Sequence, residues 1–375
     1  MNDALKRTSL YESHLLAGAK MVDFHGFSLP IWYSSIQEEH LATRSSAGIF
    51  DVSHMGFFRF AGKEVLKWLS SVSTQNFEKF SPGRCGYAHF LDTNGHIIDD
   101  MIFAVSRQDE VLGVPNSTMV ATMYGWLHSH LPEDNSIEIE DLSGETSIIA
   151  LQGPESSSVL IETLGEDNAV GKFKSREILE NDLQITGWIQ GTGYTGESGV
   201  EIFVPNEQAP MLWDSLCSKN AVTPVGLGAR DTLRLEKGFL LSGQDFLWPE
   251  LGASVNLPAN FLARTSLETS VPYGLDLSHN FIGKEALVES DKSPFRWRGM
   301  LCLDRGPSPR LGHAVYDGPD EGANLVGHIT SGGPSPSLEM SGIAMGYLTQ
   351  SEGEVWIQSS KKRRVRSVIK EPPFI

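Results

Sequence analysis

The spacing of hydrophobic and polar residues changes repeatedly along this chain, from helical spacing to strand-like alternation, which predicts a mixed α+β fold. Helical spacing predicts helices over residues 9–21, 36–48, 63–69 and 224–238. In the first of these, Ser9 is the expected N-cap, and Leu10, His14, Leu15 and Leu16 are expected on the apolar face. Gly48 is the expected end of the second helix.

Short apolar runs between turn-forming residues predict strands. These runs lie at residues 49–53, 87–91, 97–105, 147–151 and 200–204. Pro154 is expected at an early position of a helix that follows the fourth run. From Trp297 onward, short strands separated by glycine, proline and serine predict a small all-β unit. The polar stretch Ser290–Pro294 indicates a boundary between residues 285 and 296.

One predicted strand contains two adjacent carboxylates, Asp99 and Asp100, in the run Ile97–Phe103. The preceding turn, Asp92–Gly95, ends in Asn-Gly, which is a strong hairpin signal. Strand side chains alternate between faces, so one aspartate must point where the flanking apolar residues point. Burying a carboxylate is costly unless it is paired or hydrogen-bonded, so we expect a polar pocket there. The alternative is a strand that ends early, with both aspartates in a solvated turn.

The composition is that of a soluble globular protein, with 375 residues of which 40% are hydrophobic and 21% charged. The formal net charge of −17 argues against nucleic-acid binding, which needs a basic surface. Three widely spaced cysteines predict neither a disulfide framework nor a zinc cluster. No secretory signal or membrane-spanning run is visible, so we expect a cytoplasmic protein with no membrane partner. The basic run Lys361–Arg366 is expected on an exposed strand face, with docking of an acidic partner as the alternative.

The segment Gly191–Gly199 has four glycines in nine residues. Glycine lets a backbone approach a ligand closely, so the segment predicts a loop that closes over a flat ligand. Glu197 or Glu201 would then lie beside that ligand. A carboxylate accepts two parallel N–H bonds, and the N3–H and 2-amino group of a pterin offer such a pair. The alternative is a tight β-turn without a ligand.

Two arginines in the last predicted helix, Arg230 and Arg234, are four residues apart and share a face. One hypothesis is a surface charge ladder with Asp231 or Glu236 as partners. The other is that Arg230 and the backbone donors of the glycine-rich helix entry hold an anion or a carbonyl oxygen. His54, after a predicted strand, is expected to be structural. The HExxH and GxSxG motifs are absent from the sequence, so neither a zinc protease nor a serine hydrolase is indicated.

A set of motifs in this chain resembles the aminomethyltransferase, or T-protein, family of the glycine cleavage system. The motifs are Met21–Phe27, Phe50–Met55, Gly95–Asp100, Leu151–Pro154, Gly193–Glu197, Gly226–Glu236, Phe281–Leu287, Thr330–Gly332 and Pro336–Leu338. They follow the family's order and cover nearly the whole chain. Each motif is weak alone, whereas the ordered set is highly specific.

The resemblance implies an α+β fold of three domains, arranged as a cloverleaf around a central folate channel and ending in a small all-β barrel. Residues 1–285 would form the folate-binding catalytic region, as two interleaved α+β domains, and residues 296–375 the barrel. The implied substrate is an aminomethyl group on the dihydrolipoyl arm of the H-protein. Its reaction with tetrahydrofolate would give 5,10-methylenetetrahydrofolate, ammonia and the reduced arm.

The resemblance also implies roles for particular residues. By position, Asp99 matches the family's catalytic aspartate, Glu201 its pterin-binding glutamate and Arg230 its folate-contacting arginine. Further pocket positions are matched by Met55, Tyr87, Asn116 and Tyr194. A positioned carboxylate can orient a folate nitrogen and stabilise the positive charge that develops on it, so the expected chemistry needs no metal or redox cofactor.

The chain departs from the family pattern at three places. His96 stands where a second glycine is usual, which predicts an altered turn before Asp99, and Tyr273-Gly274-Leu275 stands where a Gly-Trp pair is common. Residues 246–264 form an apolar insertion. One hypothesis is that the insertion packs on the protein surface near the channel mouth and shapes partner docking. The other is that it is structural cover.

Two other functions are kept as alternatives. One is a folate-dependent methyltransferase or demethylase that acts on a small amine or sulfonium. The other is a non-catalytic folate-binding protein, for which a KGCYxGQE motif would be expected. Residues Gly238–Asp245 read GFLLSGQD instead and contain no cysteine, which argues against that alternative.

Overall fold

The computed structural model describes residues 4–361 and 363–375 and separates them into two compact units. The first unit runs through Ala88 and resumes over Met101–Asp231. The second unit contains His89–Asp100 and Thr232–Ile375.

Helices and strands alternate along most of the chain, as the α+β prediction requires. The helices are α1 (Tyr11–Leu16), α2 (Ile36–Ser45), α3 (Val65–Val72), α4 (Val120–His128), α5 (Ser156–Leu164), α6 (Ala209–Cys217), α7 (Leu227–Lys237) and α8 (Lys284–Glu289). Short 3₁₀ turns lie at Phe77–Lys79, Ser117–Met119, Glu166–Asn168, Pro249–Leu251, Ser290–Lys292 and Pro336–Leu338.

The strands precede and follow these helices in chain order. They are β1 (Lys20–Phe24), β2 (Phe27–Trp32), β3 (Ala47–Asp51), β4 (Phe58–Ala61), β5 (Arg84–Leu91), β6 (Ile97–Arg107), β7 (Glu110–Pro115), β8 (Glu138–Asp141), β9 (Thr146–Gln152), β10 (Ser175–Glu177), β11 (Trp188–Gln190), β12 (Gly199–Pro205), β13 (Val222–Pro224), β14 (Arg296–Cys302), β15 (Ala314–Tyr316), β16 (Leu325–Ser335), β17 (Ser341–Leu348), β18 (Glu354–Ser360) and β19 (Arg363–Ile369).

The first unit contains a six-stranded sheet in the order β10-β11-β12-β9-β3-β13. A second sheet has the order β5-β6-β7-β4-β8, and β1 and β2 form a separate hairpin. Val200 and Ile202 of β12 face a buried cluster that also contains Leu212 and Trp213 of α6. Because strand side chains alternate, this packing turns Glu201 to the opposite face of the sheet.

Helix α1 is shorter than predicted and its predicted N-cap is wrong, because the Ser9 hydroxyl pairs with that of Ser147 at 2.6 Å. Its predicted inward face is confirmed at Leu10 and His14, which are fully buried, and wrong at Leu16, which is 90% exposed. Leu10 packs in the apolar cluster of the first unit, and His14 Nε2 lies 2.9 Å from Asp51 Oδ2, so an apolar and a polar contact together anchor this helix.

Two other predicted boundaries are also wrong. Helix α2 ends at Ser45, and Gly48 lies inside β3. A Cβ at Gly48 would lie 2.3 Å from Thr43 Oγ1, so close packing requires glycine there. Pro154 lies in the turn before α5, whose N-cap is Glu155.

The second unit ends in a closed barrel with the strand order β14-β17-β16-β15-β18-β19, which confirms the predicted all-β unit. The barrel core is formed by alternate apolar side chains, namely Met300, Val315, Val326, Ile329, Ala344, Leu348, Val355 and Ile357. Within the described residues, no helix combines the length and the hydropathy needed to cross a membrane.

The basic run near the C-terminus lies on β19 from Arg363 to Arg366, with Lys361 in the turn after β18; Lys362 lies outside the described residues. Arg366 pairs with Glu354 across the two strands. The Arg364 guanidinium lies 3.7 Å from the ring centre of Tyr316. These arginines therefore already contact groups of their own unit.

Candidate functional site

Strand β6 carries the two adjacent aspartates in different environments, as predicted. Asp99 is fully buried, as is Ile97, whereas Asp100 is half-buried. Asp100 acts on Tyr273: burial of the phenol and the nearby Asp100 carboxylate raise the pKa of Tyr273 to about 12. The solvated turn proposed as the alternative is therefore wrong, since β6 continues to Arg107.

The Asp99 carboxylate has a polar contact within the second unit. Ser242 Oγ donates a hydrogen bond of 2.7 Å to Asp99 Oδ1. The backbone of Ser242 forms an isolated β-bridge with that of Phe246, a fully buried residue at the start of the insertion. A buried carboxylate with one oxygen fixed in this way can accept a proton or stabilise a cationic nitrogen.

The turn before Asp99 contains His96 where the family usually has a glycine, and a change of this turn relative to the family stays a prediction. Asp92 N bonds the His96 carbonyl at 2.9 Å, and His96 N donates back to Asp92 Oδ1 at 3.0 Å. Gly95 takes the left-handed conformation, with φ of +80°. The turn therefore closes on Asp92, and β6 begins directly after it.

Glu201 lies half-buried on β12 in the first unit. Its Oε2 accepts hydrogen bonds from Thr192 Oγ1 and, at 3.4 Å, from Gln190 Nε2. Both donors come from the adjacent β11 and the loop that follows it. Within the described part of the chain both bonds end on Oε2, so Oε1 is the oxygen that a ligand could use.

The glycine-rich loop is shaped by Gln152, which the sequence analysis did not single out. Gln152 Nε2 donates to the carbonyls of Thr192 and Val200 at 3.0 and 3.2 Å. Thr195 Oγ1 donates to Gln152 Oε1 at 3.0 Å. A Cβ at Gly193 would lie 1.9 Å from that oxygen. This glycine therefore permits a close approach to a buried side chain of the protein, and closure of the loop over a ligand stays a prediction.

The structure distinguishes the two candidate glutamates of this segment. Glu197 Oε1 pairs with Arg44 Nη1 at 2.8 Å, and the same nitrogen donates to the Thr195 carbonyl at 2.7 Å. Glu197 thus fastens the loop to α2. Glu201 accepts only neutral donors from the described residues, which leaves its charge available.

Arg230 lies half-buried on α7 in the first unit, with its guanidinium 4.9 Å from the ring centre of Tyr194. Burial lowers the pKa of Arg230, and Glu201 followed by Tyr194 opposes that shift. In the described structure, no carboxylate lies within ion-pair distance of Arg230. A partly buried guanidinium of this kind is suited to an anion or a carbonyl oxygen.

Arg234 and Glu236 both have partners within the second unit, and a pairing with Asp231 stays a prediction. Arg234 Nη1 pairs with Asp245 Oδ2 at 3.0 Å, and Arg234 is 1% exposed. Glu236 accepts instead from the Ser335 and Ser337 hydroxyls at 2.6 and 2.9 Å. Arg234 is therefore a buried structural residue of the second unit.

The backbone donor expected at the entry of α7 is also already used. Gly226 N donates to Glu39 Oε2 at 2.8 Å, and Glu39 is fully buried. A Cβ at Gly226 would lie 2.4 Å from the Ile31 carbonyl oxygen. Gly226 is thus fixed by protein groups, and its N–H is not free for an anion.

The four further pocket residues inferred from the resemblance all lie in the first unit. Met55, Tyr87, Asn116 and Tyr194 are each half-buried. Met55 N bonds the Val52 carbonyl at 3.0 Å, and Asn116 immediately precedes a 3₁₀ turn. Tyr194 contacts Arg230, as described above. Ligand contacts of these residues remain predictions.

The insertion is partly structural. Phe246, Phe261 and Leu262 belong to a buried cluster of the second unit, and Leu247 N bonds the Leu262 carbonyl at 2.8 Å. Its ends therefore pack in the core, whereas we had predicted packing on the surface. Val255, near its middle, is 97% exposed.

Comparison with a family model first gives the class of protein. The model described as "GCVT N-terminal domain" matches residues 10–248, which is more than half of the chain, so the chain is a protein of the GCVT class. Among the described residues, no group of three or more His, Cys, Asp or Glu side chains is arranged to hold a metal ion.

Relatives and a solved structure then identify the family. The aminomethyltransferase of Prosthecochloris aestuarii is 36% identical over 341 residues, which cover 89% of each chain. That of Thermotoga petrophila is 36% identical over 352 residues, covering 92% of this chain and 90% of the relative. The crystal structure of glycine cleavage system aminomethyltransferase T from Bartonella henselae matches with a TM-score of 0.86 and 28% identity, covering 99% and 98% of the two chains. The chain therefore belongs to the aminomethyltransferase (T-protein) family of the glycine cleavage system, which is folate-dependent. The predicted family and enzyme class are confirmed.

Proposed function

We propose that this aminomethyltransferase uses the H-protein as its donor and tetrahydrofolate as its acceptor. The bonds from the aminomethyl carbon to the sulfur of the dihydrolipoyl arm and to the amino nitrogen break. The same carbon forms bonds to N5 and N10 of the folate. Two protons leave the folate nitrogens in the process. One departs with ammonia and the other restores the thiol of the arm, so the step needs no oxidant or reductant.

The arrangement of Glu201 and Arg230 is the observation that carries this proposal. The half-buried Glu201 carboxylate accepts hydrogen bonds from neutral donors and lies within electrostatic reach of the Arg230 guanidinium. Among the described residues, no carboxylate lies within ion-pair distance of Arg230. The carboxylate matches the N3–H and 2-amino edge of a pterin. The guanidinium matches the carbonyl or carboxylate groups of the rest of a folate.

Asp99 is proposed as the catalytic carboxylate. It is fully buried, and Ser242 fixes its Oδ1. In that environment an ionised carboxylate favours positive charge on a nearby nitrogen more strongly than it would in water. The proposed role is to orient the attacking folate nitrogen and to stabilise the charge that develops on it.

Turnover tests the donor directly. Incubation with tetrahydrofolate and aminomethylated H-protein should yield methylenetetrahydrofolate and an equal amount of ammonia. Small methylated amines or sulfonium compounds should give no comparable product. Turnover with a small donor but not with the H-protein would contradict the proposal and favour the methyltransferase alternative.

Folate binding can be measured separately by thermal melting. Tetrahydrofolate at 100 times its dissociation constant should add about 2.7 kcal/mol to the free energy of unfolding. Glu201→Gln should abolish the rise, because an amide cannot accept both pterin donors. Glu207→Gln, which changes an exposed glutamate just beyond β12, is the matched control. Equal responses of Glu201→Gln and wild type would remove Glu201 from the site. The cytoplasm remains the predicted location.

A further inference from the structure

A buried polar cluster holds the turn that carries Ser242. Asp245, three residues after Ser242, is fully buried, and so are Thr330 and Ser331 of β16. These two β16 residues begin one of the family motifs, to which the proposed function assigns no role. The whole cluster lies within the second unit, which also contains Asp99.

Both oxygens of the Asp245 carboxylate are bonded to groups of the protein. Its Oδ2 accepts hydrogen bonds from Arg234 Nη1 at 3.0 Å, from Ser331 Oγ at 2.8 Å and from Leu241 N at 2.9 Å. Its Oδ1 accepts a hydrogen bond from Thr330 Oγ1. The carboxylate thus joins α7, the barrel strand β16 and its own turn.

The bond from Leu241 N connects this cluster to Ser242, which is the next residue in the chain. The Leu241 carbonyl also accepts from Asp245 N at 2.8 Å, so two bonds between these residues close the turn. Inside the turn, Gly243 takes the left-handed conformation, with φ of +80°, and its N donates to the Phe246 carbonyl at 2.8 Å. The backbone on both sides of Ser242 is therefore held in place.

The position of Ser242 matters because its hydroxyl donates the bond of 2.7 Å to Asp99 Oδ1. A displacement of about 1 Å would take the two oxygens beyond hydrogen-bond distance. Stability alone is a poor explanation for the cluster, because a buried ion pair is often no more stabilising than well-packed apolar residues. Directional bonds differ from apolar packing in that they fix one geometry of the turn.

We propose that Asp245 is a positioning residue for the transfer reaction, which fixes the turn so that Ser242 orients the Asp99 carboxylate. This inference rests on the function proposed above, in which Asp99 is the catalytic group. Thr330 and Ser331 hold Asp245 from the barrel, so their motif contributes to the rate through this turn.

A double-mutant cycle on the single-turnover rate with tetrahydrofolate and aminomethylated H-protein tests the coupling. Asp245→Ala should lower kcat about tenfold, which is the scale of one lost hydrogen bond. The dissociation constant of tetrahydrofolate should stay unchanged. In the Ser242→Ala background the same substitution should cause no further loss of rate, because the group that Asp245 positions is already absent.

Asp245→Asn separates the positioning role from the ion pair. The asparagine oxygen can take the place of Oδ2 and accept from Leu241 N, while its amide group donates to Thr330 Oγ1. We therefore expect a kcat close to that of wild type. The melting temperature should still fall, because the charge that pairs with Arg234 is lost.

Glu236→Ala is the matched control for a buried carboxylate that serves only the fold. Glu236 is also fully buried, and it holds the Ser335 and Ser337 hydroxyls of the barrel to α7. It lies outside the turn that carries Ser242. The substitution should lower the melting temperature and leave kcat per folded molecule unchanged.

Ser331→Ala replaces Asp245→Ala in the cycle if that variant does not fold, since it removes only one donor to the carboxylate. Its smaller loss of rate should likewise disappear in the Ser242→Ala background. The inference would be overturned by a wild-type rate in the single variant, by an equal loss of rate in both backgrounds, or by equal losses in Asp245→Asn and Asp245→Ala.

Failures of the underlying function give different results. A wild-type rate in Ser242→Ala would overturn the inference without affecting folate binding. A wild-type rate in Asp99→Asn would remove the catalytic role of Asp99 itself. Absence of turnover in the wild-type protein would contradict the proposed function.

Discussion

Asp99→Asn is the substitution that separates the proposed catalytic role from folding. The change is isosteric, and the asparagine carbonyl can still accept the 2.7 Å bond from Ser242. The expected stability cost is the difference between a charge-assisted and a neutral hydrogen bond, about 1 kcal/mol. Loss of the charge should lower kcat by roughly 100-fold or more, which corresponds to about 2.7 kcal/mol in the activation barrier.

The assay is a single-turnover measurement with tetrahydrofolate and aminomethylated H-protein, together with the melting temperature and the folate dissociation constant. Asp100→Asn is the matched control, because the strand turns this half-buried neighbour to the other face. Ser242→Ala should lie between the two, since it keeps the charge and removes its fixed orientation.

The result that would refute this reasoning is an equal loss of rate in Asp99→Asn and Asp100→Asn. A large fall in folate affinity with an unchanged rate at saturation would also refute it, because it would show ground-state binding and not transition-state stabilisation. A melting temperature that falls by much more than a 1 kcal/mol change implies would instead assign Asp99 a structural role.

Asp51→Asn should destabilise the protein by roughly 3–5 kcal/mol in denaturant unfolding at pH 7, because a buried pair with His14 is broken. Burial alone would raise the pKa of Asp51, but the contacts with His14, Ser53 and Thr8 lower it overall. The penalty is therefore full above the unfolded value of 3.8 and shrinks as the pH falls below it; a constant penalty would contradict the role of these contacts. Gly193→Ala should displace Gln152 and weaken folate binding at least tenfold by titration, with little change in melting temperature; unchanged affinity would show that the loop does not position Glu201. Deleting residues 247–263 should lower the melting temperature steeply because buried side chains are lost. Deleting only residues 250–256 should preserve it, and an unchanged KM for the H-protein in that variant would exclude docking by this segment.

The sequence predicted correctly those parts of the fold that depend on the turn residues and the hydrophobic spacing within a single segment. The Asn-Gly turn and the alternation of β6 were enough to place Asp99 inside and Asp100 outside. The barrel followed from short strands separated by glycine and proline. Gly238 ends α7 with φ of +82°, as a helix-terminating glycine is expected to do.

Contacts between distant segments were not predictable from local patterns. Gly48 suggested a helix end by its identity, but its role is set by close packing against Thr43 of α2 and against Val225, which follows β13. Leu16 was predicted on the same face of α1 as His14, whereas the buried contact between His14 and Asp51 of β3 turns His14 inward and leaves Leu16 exposed. In each case the deciding group lies in another element, so no spacing within one segment contains the information.

The candidate site shows the same limit, because two pairs of similar residues have opposite roles. Glu197 and Arg44 form a direct ion pair at 2.8 Å and satisfy each other. Glu201 and Arg230 are also within electrostatic reach, yet in the described structure no ion pair joins them.

The geometry explains why the second pair stays apart. Thr192 and Gln190 hold the Glu201 carboxylate, and the Tyr194 ring supports the Arg230 guanidinium. Each charge is thus oriented by neutral groups and not neutralised by the other. Keeping two opposite charges oriented but unpaired lowers the reorganisation needed when a ligand brings both a donor edge and an acceptor group. A variant that let Glu201 and Arg230 pair directly, such as Thr192→Val, should therefore leave the melting temperature unchanged or higher and weaken folate binding. The opposite result, lower stability with unchanged affinity, would show that the separation serves the fold and not the ligand.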